Sequence, residues 1–565
     1  MAGHQFALRR ISTALILVGP VTTLIISPNS SLDPISVVKL VSISIFGFGI
    51  FSLVVLYLRQ NLLELPRAIL IGVITFLFAL LSSFLFSGSP LNQQFWGSFG
   101  RNNGFLCYLA LTFILVASAL VGTVAFYHML ILALIGTSIP MTIYCLMQMI
   151  GRDPIGWSEL DTFGTLGNIN FLSAFFGMTT VALLAQMLRD DLHLVKRTVM
   201  GLFILLKLYI VYSTGSIQGL MMFLGALSIL GIIVLRYRGV GRLAQNFYFG
   251  SLTTFAIFTL FGLADKGPLS RFLYQPSVTF RGDYMHAGIE MTLRKPFLGV
   301  GLDSYGDYYR EVRGYISTTR TGPDRVANTA HNIFLDLSAS GGFPLLAGYA
   351  LLFFYVGKKS FLILRDSKHL DVTFMTLFVV WVAYHIQALV SINQIGVGIW
   401  GWLFTGALIG YPRMQSKDIS APKKSISPPT VKQKSQKSKT ALPIKVSLVW
   451  WIGAAIGLLI SYPPFQADAN YKKASMSRNL DAMFQASSSF AASAWHMNLT
   501  LDAALKSNAA PQAKLIAVQL VDSYPRDFFG WRILSALISS SVDERTRAYS
   551  VARSLDPFNV ELQKP

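Results

Sequence analysis

The strongest constraint on this chain is a series of apolar runs, each long enough to cross about 30 Å of hydrocarbon. They begin near Ile11, Ile35, Ala68, Phe105, Met129, Asn170, Thr198, Ile217, Leu252, Asn332, Val372, Gly396 and Val446, which predicts about thirteen spans. Among the 565 residues 53% are hydrophobic and only 13% charged, whereas soluble domains carry about 25% charged residues. The expected fold class is therefore all-α, a polytopic membrane protein with about 12 core spans plus one further span. The stretch from Phe105 to Ile150 is too long for one helix, and a turn is expected at Tyr127-His128. The first run follows Arg9-Arg10 without a small-residue cleavage site before Pro28, so it reads as an uncleaved span.

The formal net charge of +20 is spread over alternate connections. Arg9/Arg10, Arg59/Arg67, Arg189/Lys196/Arg197, Arg236/Arg238/Arg242 and Lys358/Lys359/Arg365/Lys368 occupy every second loop, the pattern of the positive-inside rule. That parity predicts a cytoplasmic N-terminus. It also predicts a cytoplasmic basic linker over 413–445, whose Lys, Ser and Pro content reads as disordered chain near anionic lipid head groups. The linker has no aromatic residue on which a base could stack, which argues against a nucleic-acid partner. Cys107 and Cys145 both fall in apolar runs, so they are expected to be core fillers rather than a disulfide or zinc framework.

By the same parity the outward loops hold most of the polar chemistry. They include the segment from Phe95 to Gly104, that from Gly151 to Asn170, that from Ser213 to Gly219, and a long Arg- and Tyr-rich loop over 264–330 that leads into His331-Asn332. Outward arginines run against the charge rule. Arg101, Arg152, Arg281, Arg294, Arg310, Arg313, Arg320 and Arg325 therefore suggest an anionic ligand, and a diphosphate suits the guanidinium fork. Group transfer from a diphosphate needs a stabilised leaving group and a deprotonated acceptor. Arginine suits the first task and His331, expected in the first turn of the next helix, the second.

Taken in order, these segments resemble the O-antigen ligase and O-antigen polymerase superfamily. The resemblance rests on Gly97-Ser98-Phe99-Gly100-Arg101 with Gly104, Gly164-Thr165-Leu166-Gly167-Asn168, Thr214-Gly215-Ser216, Arg281 with Pro296-Phe297-Leu298-Gly299-Val300-Gly301, and His331-Asn332 with Gly341-Gly342. It covers most of residues 1–412, which it implies are a membrane-embedded glycan ligase or polymerase domain of the transmembrane glycosyltransferase type. It implies a polyprenyl-diphosphate-linked glycan as donor, an acceptor glycan, lipid or protein, action on the outer face of the bacterial plasma membrane, and no cofactor or metal. The residue implied to be catalytic is His331. The one implied to hold the diphosphate is Arg281, with Arg101 and Arg325 expected to supply a further contact to it, and Asn170, Gln218 and Asn332 are further candidates for substrate contact. Many ligases have arginine directly after the serine matching Ser216, whereas this chain reads Ile217-Gln218-Gly219.

Other features have plainer readings. Arg294, Arg310, Arg313 and Arg320 read as snorkelling to head groups. Glu290 is expected to pair with Arg294 one turn on, which leaves His286 and Glu290 short of a metal site. Gly299-Val300-Gly301 reads as a turn, and Trp96, Trp157, Trp400 and Trp402 as an interfacial aromatic belt. The last span is expected at 446–462. Residues 463–565 then form an extracytoplasmic helical domain, TPR-like around Trp531 to Asn559 and offering a surface for a protein partner. Ligase is preferred over polymerase or protein O-oligosaccharyltransferase. A lipid-linked glycan transporter is the non-enzyme alternative, disfavoured because midspan charges other than Lys207 are scarce.

Overall fold

A computed structural model describes residues 2–157, 161–274, 276–420 and 441–562. Each apolar run becomes a helix. In chain order these are α1 (Ala2–Leu24), α2 (Ser36–Tyr57), the short α3 (Arg59–Leu62), α4 (Arg67–Phe86), the short α5 (Leu91–Trp96), α6 (Phe105–Leu120), α7 (Val124–Met149), α8 (Ile169–Gln186), α9 (Leu194–Ser213), α10 (Ile217–Tyr237) and α11 (Arg242–Leu263). The long loop is itself helical, with α12 (Ser270–Leu273), α13 (Pro276–Arg294), α14 (Tyr305–Val312) and α15 (Tyr315–Thr321). The membrane region then closes with α16 (Ile333–Asp366), α17 (Val372–Ala388), α18 (Ile395–Ser420) and α19 (Ala441–Met476). Ten of these helices are long and apolar enough to cross a membrane, and α6 and α17 are shorter apolar helices. The remaining run, α9, includes Lys196, Arg197 and Lys207. The protein is an all-α polytopic membrane protein.

Packing follows from which helices are apolar all round. The α18 span is buried over nearly its whole length and lies against α1, α6 and α17, while α2 packs on α6 and α19, α4 on α16, and α8 on α10 and α17. At the other extreme, α11 is almost entirely exposed and rests on α10 and α12. Two lysines inside the bundle are absorbed by hydrogen bonding. Lys39 donates to the carbonyls of Thr22, Thr23 and Ile25 at 2.9, 2.8 and 3.1 Å, satisfying acceptors that the end of α1 leaves without intrahelical partners. Lys207 donates to Thr179 Oγ1 at 3.1 Å and lies over the Phe203 ring.

Several expectations are corrected. The break after Phe105 falls at residues 121–123 rather than at Tyr127-His128, because Thr123 Oγ1 caps α7 by accepting from Phe126 N while Tyr127 is buried in the core. The tryptophans at 96, 400 and 402 are buried rather than interfacial. Their indole donors are used inside the fold, Trp96 on Ile460 O and Trp400 on Thr23 Oγ1, as burial of an N–H requires. The snorkelling arginines are instead ion-paired. Arg294 meets Glu290 and Glu311, Arg320 meets Asp283, and Arg310 and Arg313 share Asp556. The pairing of Arg294 with Glu290 is the one expected from their spacing. Both cysteines are buried and free.

Beyond the bundle, α19 continues unbroken through Pro463 and Pro464. It leads into α20 (Leu480–Ser487), α21 (Ala494–Lys506), α22 (Ala510–Ser523), α23 (Phe528–Ala536) and α24 (Val542–Leu555). Successive helices pack on one another around Leu501, Ile516, Leu520, Leu534 and Ala548. This C-terminal unit is tied to the α14–α15 region through Asp556 and through Arg526, which pairs with Glu311 and stacks on Tyr308. Of the basic linker, residues 421–440 lie outside the described residues.

Candidate functional site

The conspicuous glycine motifs build a joint. In the Pro296–Gly301 turn Val300 N donates to Ala339 O and Gly301 N to Ser340 O, while Phe343 N donates to Pro296 O. These bonds grip α16 where Gly341 and Gly342 break its helical path. Gly342 has φ +70°, and a Cβ there would lie 2.4 Å from Pro296 O, so only glycine fits this joint. The joint holds α13 against the first part of α16 and so sets Arg281 relative to His331.

The 97–104 segment is organised in a similar way around one carboxylate. Asp303 Oδ2 accepts from Ser98 N at 2.7 Å, Ser98 Oγ at 3.1 Å and Asn103 N at 3.1 Å, and Asp303 Oδ1 pairs with Arg101 Nε at 3.3 Å. Arg101 also donates to Asn328 O and faces Asp336 at 4.0 Å. Asp336 in turn accepts from Ala330 N at 2.7 Å, which fixes the chain just before His331. Neither Asp336 nor Asp303 is distinguished in the sequence from other acids of its segment. Both act by holding the neighbouring turns.

A cleft of about 250 Å³ opens where these parts meet, lined by Arg101, Asn170, Gln218, Arg281 and His331 among others. Five of the residues singled out from sequence are thus brought together from α8, α10, α13 and two connecting segments. The other two are placed differently. Arg325 is exposed, sits over the Phe280 ring and does not line the cleft. Asn332 is spent as the cap of α16, accepting from Phe334 N and Leu335 N and donating to Leu389 O. Sequence reasoning did not single out Asp33, Ser36, Asn328, Ser391, Asn393 and Gln394, which complete the wall. They are polar residues in turns or at a helix start, indistinguishable from ordinary connectors before the chain folds.

Polarity in the cleft favours an anion. Arg281 is half-buried, and burial works against its charge. Among the described residues no carboxylate pairs with it, and its side-chain partner is Gln218, whose Oε1 accepts from Arg281 Nη2 at 3.2 Å. That bond fixes the amide orientation and leaves Gln218 Nε2 a buried donor without a partner. A cation and an orphan donor facing one cleft are complementary to an oxygen-rich anion. Ile217 directly follows Ser216, and Gln218, one position further on, supports Arg281.

His331 precedes α16 rather than sitting in its first turn, with φ +51° and its N–H on Thr329 Oγ1 at 3.0 Å. Its ring lies 5.3 Å from that of Tyr284, and among the described residues none hydrogen-bonds its ring nitrogens. Burial, then the charges of Arg281 and Arg101, bring its pKa down to about 4. The imidazole is accordingly neutral near pH 7. Of the other acids in the loop, Asp283 pairs with Arg320 and Glu290 with Arg294.

Residues 201–350 match the family model described as O-antigen ligase. Over this segment the chain is similar to the O-antigen ligase superfamily. The match indicates a function of the O-antigen ligase or polymerase type. The O-antigen ligase segment contains Gln218, Arg281, His331 and Asn332, while Arg101 and Asn170 reach the same cleft from outside it. No curated protein matches the chain.

Proposed function

We infer that this protein transfers a glycan from an undecaprenyl-diphosphate-type carrier to an acceptor hydroxyl on the extracytoplasmic face of the bacterial plasma membrane. The observation that carries this reading is the meeting of Arg281, Arg101 and the free Gln218 donor with a neutral His331 at one cleft. In the step, the bond from the anomeric carbon to the diphosphate oxygen breaks, and its electron pair leaves on the diphosphate. The acceptor oxygen bonds to that carbon, and its proton passes to His331. Each charge-assisted hydrogen bond from an arginine to the leaving group is worth about 1.5–3 kcal/mol. The diphosphate offsets the positive field that depresses the basicity of His331, so donor binding prepares the base.

The test is transfer by the purified full chain from a polyprenyl-diphosphate-linked glycan. Arg281→Lys keeps the charge but loses the bidentate fork, so donor use falls while the protein still folds and inserts. Normal turnover at limiting donor in that variant would remove Arg281 from the diphosphate site. In cells, loss of glycan attachment on deletion marks a ligase, whereas loss of polymer length marks a polymerase.

A further inference from the structure

A second chamber, of about 370 Å³, lies between the membrane region and the C-terminal helices. It meets the arginine cleft at Asp33 and Asn328, which line both. Its chemistry is the reverse of its neighbour's. Asp33, Asp303, Asp307 and Asp468 line it, and no lysine or arginine is among its described lining residues. A phosphorylated or otherwise anionic ligand is disfavoured there.

Two further observations define what does fit. Phe99 and Trp495 stack in parallel, with ring centroids 5.7 Å apart and planes 7° apart, and Trp495 keeps 51% of its surface exposed, so an aromatic platform remains open. Asn102 is 5% exposed. Its Nδ2 donates to Trp96 O, which leaves Oδ1 as a buried acceptor without a partner. Asp307 accepts from Gln93 Nε2 at 2.7 Å, and burial pushes its carboxyl up to about 7. The chamber therefore calls for a ligand that has a flat apolar face, donates hydrogen bonds and carries no negative charge. A sugar ring has all three properties: its C–H face lies on an aromatic ring and its hydroxyls donate.

We propose that this chamber is a carbohydrate subsite that takes the terminal sugars of an uncharged acceptor glycan and directs a hydroxyl toward the arginine cleft, with Trp495 of the C-terminal unit as its platform. The acceptor role rests on the transferase reading above, whereas sugar binding by the chamber does not. The experiment is accordingly a binding measurement that needs no turnover. Detergent-solubilised full chain is applied to a printed array of neutral and acidic glycans and to a matched array of serine- and threonine-containing peptides. Neutral glycans are retained, Trp495→Ala lowers their apparent affinity by about tenfold, Trp495→Phe restores most of it, and Arg281→Ala leaves it unchanged. Retention of acidic glycans alone, of peptides alone, or of nothing overturns the proposal, as does equal binding by Trp495→Ala. Neutral-glycan binding that depends on Trp495, in a protein whose Arg281 and His331 variants transfer normally, would keep the sugar site and sink the transferase mechanism instead.

Discussion

Arg281 and Arg313 belong to the same loop region and looked alike as outward arginines, yet the fold treats them oppositely. Arg313 is 1% exposed and its charge is answered: its two terminal nitrogens donate to Asp556 Oδ2 at 2.7 Å, Pro323 O at 2.9 Å and Arg325 O at 3.0 Å. Arg281 is answered by a single amide oxygen. A buried cation surrounded by acceptors is a joint between parts of a protein, and one left short of anionic partners beside a cleft is a binding site. The residue type is the same in both places, and the partner decides the role.

The contrast can be broken most severely at His331, the neutral group facing Arg281. His331→Asn keeps a residue that tolerates the left-handed backbone found here, and turnover per folded molecule is expected to fall by about 10² to 10⁴ while the melting temperature is retained. Near-normal turnover would mean that the cleft lacks its base. Next, Arg281→Gln removes the unanswered cation: transfer falls by about 10² to 10³ with no loss of thermal stability, because the residue had no ion pair to lose. A drop in melting temperature comparable to that of the joint variant would erase the distinction.

Arg313→Gln is the reciprocal test. It strands Asp556 in a buried setting, with Arg310 as its remaining arginine partner, and costs about 3 kcal/mol or more of stability at the joint. Limited proteolysis between α19 and α24 should accelerate, while the anion cleft keeps its donor affinity. A smaller effect sharpens the electrostatic part. Because burial, Arg281 and Arg101 lower the pKa of His331 to about 4, its neutral form dominates above that pH. Carbethoxylation of His331, followed site by site by mass spectrometry, should therefore begin at low pH in the wild type and shift to higher pH in Arg281→Gln, where one repulsive charge is gone. The smallest effect is expected at exposed Arg325. Arg325→Ala should leave stability within about 0.5 kcal/mol and transfer near the wild-type rate, and a large loss would require that residue to reach the cleft.

Legibility in the sequence tracked the range of the interaction involved. Every apolar run became a helix, because hydropathy is summed over neighbours along the chain and the hydrocarbon thickness sets the window. Helix breaks were less legible. The turn after α6 comes at Thr123, where a side chain caps the next helix, and not at Tyr127, whose hydroxyl reaches back to Val121 O inside the core. Arg281, Arg101, Gln218, Asn170 and His331 could be singled out because polar connections stand out against an apolar background and because those connections resemble a known family. The fates of Arg310, Arg313 and Trp400 could not, since their partners are contributed by Asp556 and Thr23, far away along the chain.

What the sequence determined alone was therefore a set of membrane-length helices, the loops in which polar chemistry concentrates and the residue types available there. Only the tertiary structure decided which arginines are satisfied and which face a cleft, that Asn332 caps a helix while Gln218 holds Arg281, and that an acidic, aromatic chamber adjoins a cationic one. The reason is physical. Helix formation and hydrophobic length are local sums, whereas the meaning of a charge depends on the partner brought to it, and Asp556 reaches Arg313 across 243 positions of sequence.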